Sequence, residues 1–151
     1  MVEENCWIYG NIPICEIPEG DWYGFVYKIS KKSTGEYYWG CKSFYNVTNP
    51  KISKKKANEL YTGKGRKKTR LQKIKESNWK DYLSSSKKVQ EMIEIDGLDV
   101  YRFEIISFHK NYTSMIMEET SLILKDFMSG NTKILNEWLS IKIRKPNVKI
   151  N

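Results

Sequence analysis

The feature that most constrains this chain is the run from Gly24 to Phe44, GFVYKISKKSTGEYYWGCKSF. Phe25, Tyr27 and Ile29 alternate with Val26, Lys28 and Ser30, a two-residue period rich in aromatic and β-branched side chains that predicts a strand. KKSTG supplies a turn, and Glu36 to Lys42 predicts a second strand, so the pair reads as a β-hairpin. Alternate strand residues share a face. Tyr38, Gly40 and Lys42 therefore point one way, and Tyr37, Trp39 and Cys41 the other. With Tyr27 across from Tyr38, two phenols stand on one face, beside the space that Gly40 leaves open and the charge of Lys42. Ordinary aromatic packing explains such a cluster. So does phosphodiester chemistry, in which a phenol relays a proton from water and cations hold the phosphate.

The remaining segments must cover this hairpin. Residues 1–21 hold Pro13, Pro18 and Gly20, show no sustained period, and read as an irregular arm packing through Trp7, Ile8 and Ile14. SKKKANELY predicts one or two helical turns after Ser53, with Ala57, Leu60 and Tyr61 inward. TGKGRKKTR carries no apolar residue and reads as a mobile basic loop. SSSKKVQEMIEIDG predicts a helix capped by serine and stopped by Gly97, with Val89, Met92, Ile93 and Ile95 as its stripe. VYRFEIISF, residues 100–108, predicts a third strand. TSMIMEETSLILKDFMSG predicts a longer helix with Ile116, Ile123, Leu124 and Phe127 on its apolar face. The expected fold is α+β: a small three-stranded antiparallel sheet flanked by helices, with a basic insertion at 45–80 after the first hairpin. Residues 22–145 form the main domain and 146–151 a basic tail.

Charge is concentrated rather than spread. The chain carries a net +8, yet Lys51 to Lys88 alone holds fourteen Lys and Arg against Glu59, Glu76 and Asp81. A solvated basic face is one explanation. A polyanion site is the other, because each phosphate neutralised releases counterions and adds affinity. Lys64, Lys67, Lys68, Lys80 and Lys87 are the candidate backbone contacts, with Tyr61, Trp79 and Tyr82 available to stack on bases. Cys6, Cys15 and Cys41 match no zinc spacing and read as free thiols in a cytoplasmic protein. His109 is the single histidine, so any acid–base role for that side chain rests on one residue. No apolar run reaches bilayer length, and no membrane partner is expected.

The motifs also fit a known pattern. FVYKISKKSTGEYYWG resembles the paired strand signature of the GIY-YIG nuclease superfamily, with FVY for the first motif and YWG for the second. ESNWKDYLSSSKKV resembles the eSdWk-Y-gSs segment of phage-encoded, seg-like members. EET in the long helix and LNEWLSIKIR near the end resemble the glutamate and terminal asparagine motifs. The resemblance implies a DNA endonuclease using Mg2+ (or Mn2+) on double-stranded DNA, in the host cytoplasm if phage-encoded, as a monomer or homodimer. It implies that a hairpin tyrosine activates water, directly or through a neighbour. Carried over, Tyr27 and Tyr38 are the paired tyrosines, Gly40 the spacing glycine, and Glu119, or less favourably Glu118, the metal ligand. Asn136 positions the Tyr27 segment or the phosphate, or is a turn residue before Trp138. Glu119 also interrupts the predicted apolar stripe, where a carboxylate needs a partner. The family's arginine has two candidates, Arg66 and Arg70. Arg70 is preferred because Leu71 and Ile74 suggest a helical turn around it, and Lys42 takes part of the role. Phe25 stands where the motif has glycine and is expected to narrow the site. That departure, with the basic segment, keeps a non-catalytic nucleic-acid-binding module as the alternative.

Overall fold

The structure, a computed structural model, describes residues 5–137 and residue 139. Residues expected as an irregular arm instead form a tight hairpin, β1 (Trp7–Tyr9) and β2 (Ile12–Ile14), paired antiparallel. Three residues per strand are too few to show a period, and Pro13 survives because β2 lies at the sheet edge. The hairpin brings Cys6 and Cys15 together as a disulfide with Cα atoms 5.0 Å apart, so Cys41 alone is a free thiol.

The expected hairpin is present as β3 (Gly24–Lys31) and β4 (Tyr37–Ser43). Beyond it come β5 (Tyr45–Thr48), α1 (Lys54–Leu60), β6 (Lys73–Glu76), α2 (Lys87–Asp96), β7 (Tyr101–His109) and α3 (Tyr112–Met128). The main sheet has five strands in the order β2-β1-β7-β3-β4, not three. Its central part, β7-β3-β4, is antiparallel as expected, while β1 joins β7 in parallel. The strands β5 and β6 form a separate two-stranded sheet. Where a helical turn was expected around Arg70, the chain bridges Lys51 to Arg70 and continues into β6.

One face of the main sheet carries the aromatic core. Phe25, Tyr27 and Ile29 pack there with Trp7, Phe44, Trp79, Val89 and Ile93, all buried. Phe25 therefore fills the core rather than narrowing a site. Trp79 is wholly buried, donates Nε1–H to Glu76 Oε1 and accepts Trp7 Nε1–H at its carbonyl, so it cannot stack on a base. Ser86 caps α2 and Gly97, at φ 94°, ends it, as the sequence indicated. Ile95 departs from the expected stripe and is exposed. In α1, Leu60 and Tyr61 are likewise exposed, because no second core exists beneath them.

The helix α3 covers the opposite face through Met115 and Ile123, with Leu124 exposed. Asp126 ties it to β4 by accepting from Tyr37 Oη at 2.6 Å and Trp39 Nε1 at 2.7 Å. After α3 the chain returns along β4: Tyr37 N donates to Lys133 O, and Leu135 N to Tyr37 O. Trp138 and the basic tail lie outside the described residues. Among the described residues, no helix is long and apolar enough to cross a membrane.

Candidate active site

Two faces of one sheet meet at the β4 edge, and a cleft of about 510 Å³ opens there. Tyr38 reaches it from the core face, Glu119 from α3 on the other, and Ser85, Ser86, Lys87 and Lys88 from the start of α2. Asn136 forms part of the wall. A second cavity of about 450 Å³ lies beside the β1–β2 hairpin, lined by the disulfide, Glu16 and Lys80. Of its two carboxylates, Glu16 and Asp81, the first is paired with Lys80 at 2.8 Å.

The two hairpin phenols share a face, as alternation required, but they are not direct partners. Tyr27 pairs with Gly40 and Ile29 with Tyr38, leaving the two rings diagonal with centroids 6.4 Å apart. Tyr27 lies on β3, between β7 and β4 and on the same face as buried Phe25 and Ile29, whereas Tyr38 lies on the edge strand β4. Its ring is fully buried and, among the described residues, its Oη makes no close hydrogen bond, although the Ser84 and Tyr82 hydroxyls stand near. Burial pushes its phenol well above the usual tyrosine range. Tyr38 is only partly buried, and its hydroxyl shares a hydrogen bond with Ser85 Oγ at 3.1 Å. Of the pair, Tyr38 is the phenol that meets solvent.

Glu119 is the carboxylate of the EET motif that enters the cleft; Glu118 is not among the lining residues. Burial raises the Glu119 pKa, and its Oε2 accepts from the Cys41 thiol at 3.2 Å. Burial and the neighbouring Glu119 in turn keep that thiol protonated. No group of three or more His, Cys, Asp or Glu gathers among the described residues. Among the described residues Glu119 is a half-buried carboxylate in no ion pair, a donor compatible with an ion such as Mg2+. That ion keeps several waters and needs only one or two carboxylates plus substrate phosphate.

Asn136 acts on backbone. Its Oδ1 accepts from Trp39 N and its Nδ2 donates to Trp39 O, both at 2.9 Å. The amide continues the pairing that Lys133 and Leu135 make with Tyr37, and it holds the residue between Tyr38 and Gly40 in place.

The expected cations sort differently. Lys42 stands with its Nζ 4.2 Å from the Tyr82 ring centroid, and burial lowers its pKa. Lys87 lines the cleft, while Lys88 lines it and pairs with Glu137. Arg70 donates to Asn49 O beside the β5–β6 sheet, and neither it nor Arg66 lines the cleft. Lys67 binds Asn58 Oδ1, and Lys64 and Lys68 are exposed in the same region. Lys80 is engaged with Glu16. His109 sits between Ser107 and Ser114, hydrogen-bonded to both and absent from the cleft.

Sequence reasoning named Lys87 but missed Ser85 and the rest of the α2 N-terminus as parts of the site. The SSS run before KKV was legible as a cap, but not as a wall facing Tyr38.

A family model described as "Putative endonuclease segE, GIY-YIG domain" matches residues 7–139. Comparisons with curated proteins and with solved structures give no match.

Proposed function

Since the chain belongs to the GIY-YIG endonuclease family of the segE type, we propose that it hydrolyses phosphodiester bonds of duplex DNA in the β4 cleft. The observation that carries this reading is that Tyr38 and Glu119, from opposite faces of the sheet, line one cavity with the N-terminus of α2. A scissile phosphate enters between them. The Lys87 and Lys88 amides at the start of α2 and the Lys87 ammonium hold its oxygens, as helix N-termini hold anions generally. Tyr38 Oη orients the attacking water; as it takes the water's proton, its own proton passes through Ser85 Oγ to bulk solvent, and solvent protonates the leaving oxygen. Tyr27, without access to solvent, supports Tyr38 from behind rather than touching water. Glu119 is the residue that would hold Mg2+ or Mn2+, with solvent and phosphate oxygens completing the shell. The ion, when bound, supplies charge stabilisation at the leaving oxygen. Asn136 fixes the β4 backbone under the phosphate.

One observation favours the non-catalytic alternative: among the described residues no arginine lines the cleft, and lysine, a point charge, stands where a planar fork would serve. Incubation of the purified chain with supercoiled plasmid and Mg2+ or Mn2+ separates the two. Nicked or linear product that EDTA abolishes supports the nuclease. Salt-sensitive binding with no product under either metal contradicts it.

A further inference from the structure

The strands β5 and β6 belong to neither layer of the domain. They pair only with each other, and all of their residues are exposed. The register runs unbroken from Tyr45↔Glu76 to Thr48↔Lys73, and the Lys51↔Arg70 bridge continues it. Backbone bonds extend the pairing from Ser77 N–Phe44 O at the root to Ile52 N–Thr69 O at the far end. At roughly 3.3 Å per residue the ribbon is about 25 Å long. An isolated two-stranded ribbon is marginal in water. This one is held at its root, where Phe44 is buried against Trp79 and Ser77 Oγ donates to Ser43 O at 2.6 Å.

Alternation gives the ribbon two unlike faces. Asn46, Thr48, Lys73 and Lys75 share one; Tyr45, Val47, Ile74 and Glu76 share the other. The first face holds only hydrogen-bonding groups and two cations. No acid occurs between Glu59 and Glu76, a stretch that includes Lys64, Arg66, Lys67, Lys68 and Arg70. Such a surface is complementary to a polyanion along its length and carries donors and acceptors suited to reading one.

We propose that this ribbon lies in the major groove of the DNA duplex, with Asn46, Thr48, Lys73 and Lys75 toward the base edges. The basic far end follows the phosphate backbone. The major groove admits a two-stranded ribbon; asparagine reads adenine and lysine reads guanine there, whereas phosphate contacts alone specify no sequence. The choice of duplex DNA rests on the nuclease reading, and the ribbon supplies what the cleft lacks, a source of sequence preference.

The test compares the full chain with an Asn46→Ala/Lys73→Ala/Lys75→Ala variant, whose altered side chains are all exposed and outside the core. Binding is measured to a mixed-sequence duplex before and after methylation of guanine N7, which blocks the major groove only. The proposal expects methylation to weaken the unaltered chain on the order of tenfold and to change the variant little. It also expects the variant to nick plasmid at a different set of positions while retaining the cleft chemistry. Equal sensitivity of both proteins to methylation, or an unchanged nicking pattern, overturns the proposal. A ribbon that serves a protein partner through Val47 and Ile74 gives that second result. Failure of the unaltered chain to cut under any metal removes the nuclease reading instead, and the methylation comparison still decides the ribbon.

Discussion

Gly40 lies directly across the β3–β4 ladder from Tyr27, and a Cβ at Gly40 would fall inside the contact distance of Tyr27 Cζ and Oη. The glycine is required by the phenol, not by its own backbone, since no positive φ occurs there. Gly40→Ala is therefore expected to destabilise by about 1–3 kcal/mol, the cost of overfilling a packed core. Urea denaturation measures this. In a Tyr27→Ala background the same change should cost much less, and equal costs in both backgrounds would contradict the contact.

Among the described residues, Tyr27 Oη is buried without a close hydrogen bond, the Ser84 and Tyr82 hydroxyls standing near. Removing an unsatisfied buried hydroxyl relieves a cost, so Tyr27→Phe is expected to stabilise the fold by about 1 kcal/mol. For a chain of this size that is a rise of roughly 2–4 °C in melting temperature. Its cleavage rate should fall less than that of Tyr38→Phe. A destabilised Tyr27→Phe protein would mean that the hydroxyl has a partner after all.

Asn136 makes both of its side-chain bonds to the backbone of Trp39. Asn136→Ala removes the two together and is expected to cost about 1–3 kcal/mol. Asn136→Asp keeps the acceptor but loses the donor to Trp39 O, and should be no better than alanine at neutral pH. Hydrogen exchange at the Trp39 amide gives a local readout, with faster exchange expected in both variants.

Burial lifts the Glu119 carboxyl above its ordinary range, so the folded chain keeps that proton to higher pH than the unfolded chain does. This contribution favours the fold at low pH and is lost as pH rises through the raised pKa. Without divalent metal, Glu119→Gln should melt above the unaltered protein near about pH 7.5, and the gap should close toward about pH 3, where the carboxyl is protonated in both states. Added Mg2+ should raise the melting temperature of the unaltered protein and leave the variant unmoved.

The hairpin, the serine cap of α2 and the extent of α3 were legible because each carries its own period and stop signals. The β1–β2 strands and their disulfide were not, since three-residue strands are too short to show a pattern and a cysteine pair is visible only once the hairpin exists. Tyr27 and Tyr38 were legible as residues of one face but not as unequal partners. That difference comes from strand position, β3 being internal and β4 the edge of the sheet, which no local pattern announces. Trp79 looked like a stacking platform because lysines surround it in sequence, whereas the fold turns its ring inward against Phe44 and Phe25. The arginine question has the same origin: Arg66 and Arg70 follow the hairpin in sequence, yet pairing of β5 with β6 directs them to a separate sheet.

The central claim is that Tyr38 and Glu119 act on one phosphate in one cleft, and single-turnover cleavage of plasmid by Tyr38→Phe and Glu119→Gln tests it most directly. The account predicts that each variant binds DNA as the unaltered chain does but cuts at least about a hundredfold more slowly. It also predicts that the double variant is scarcely slower than either one, as for groups acting as a unit. Cleavage by either single variant at the unaltered rate would contradict it.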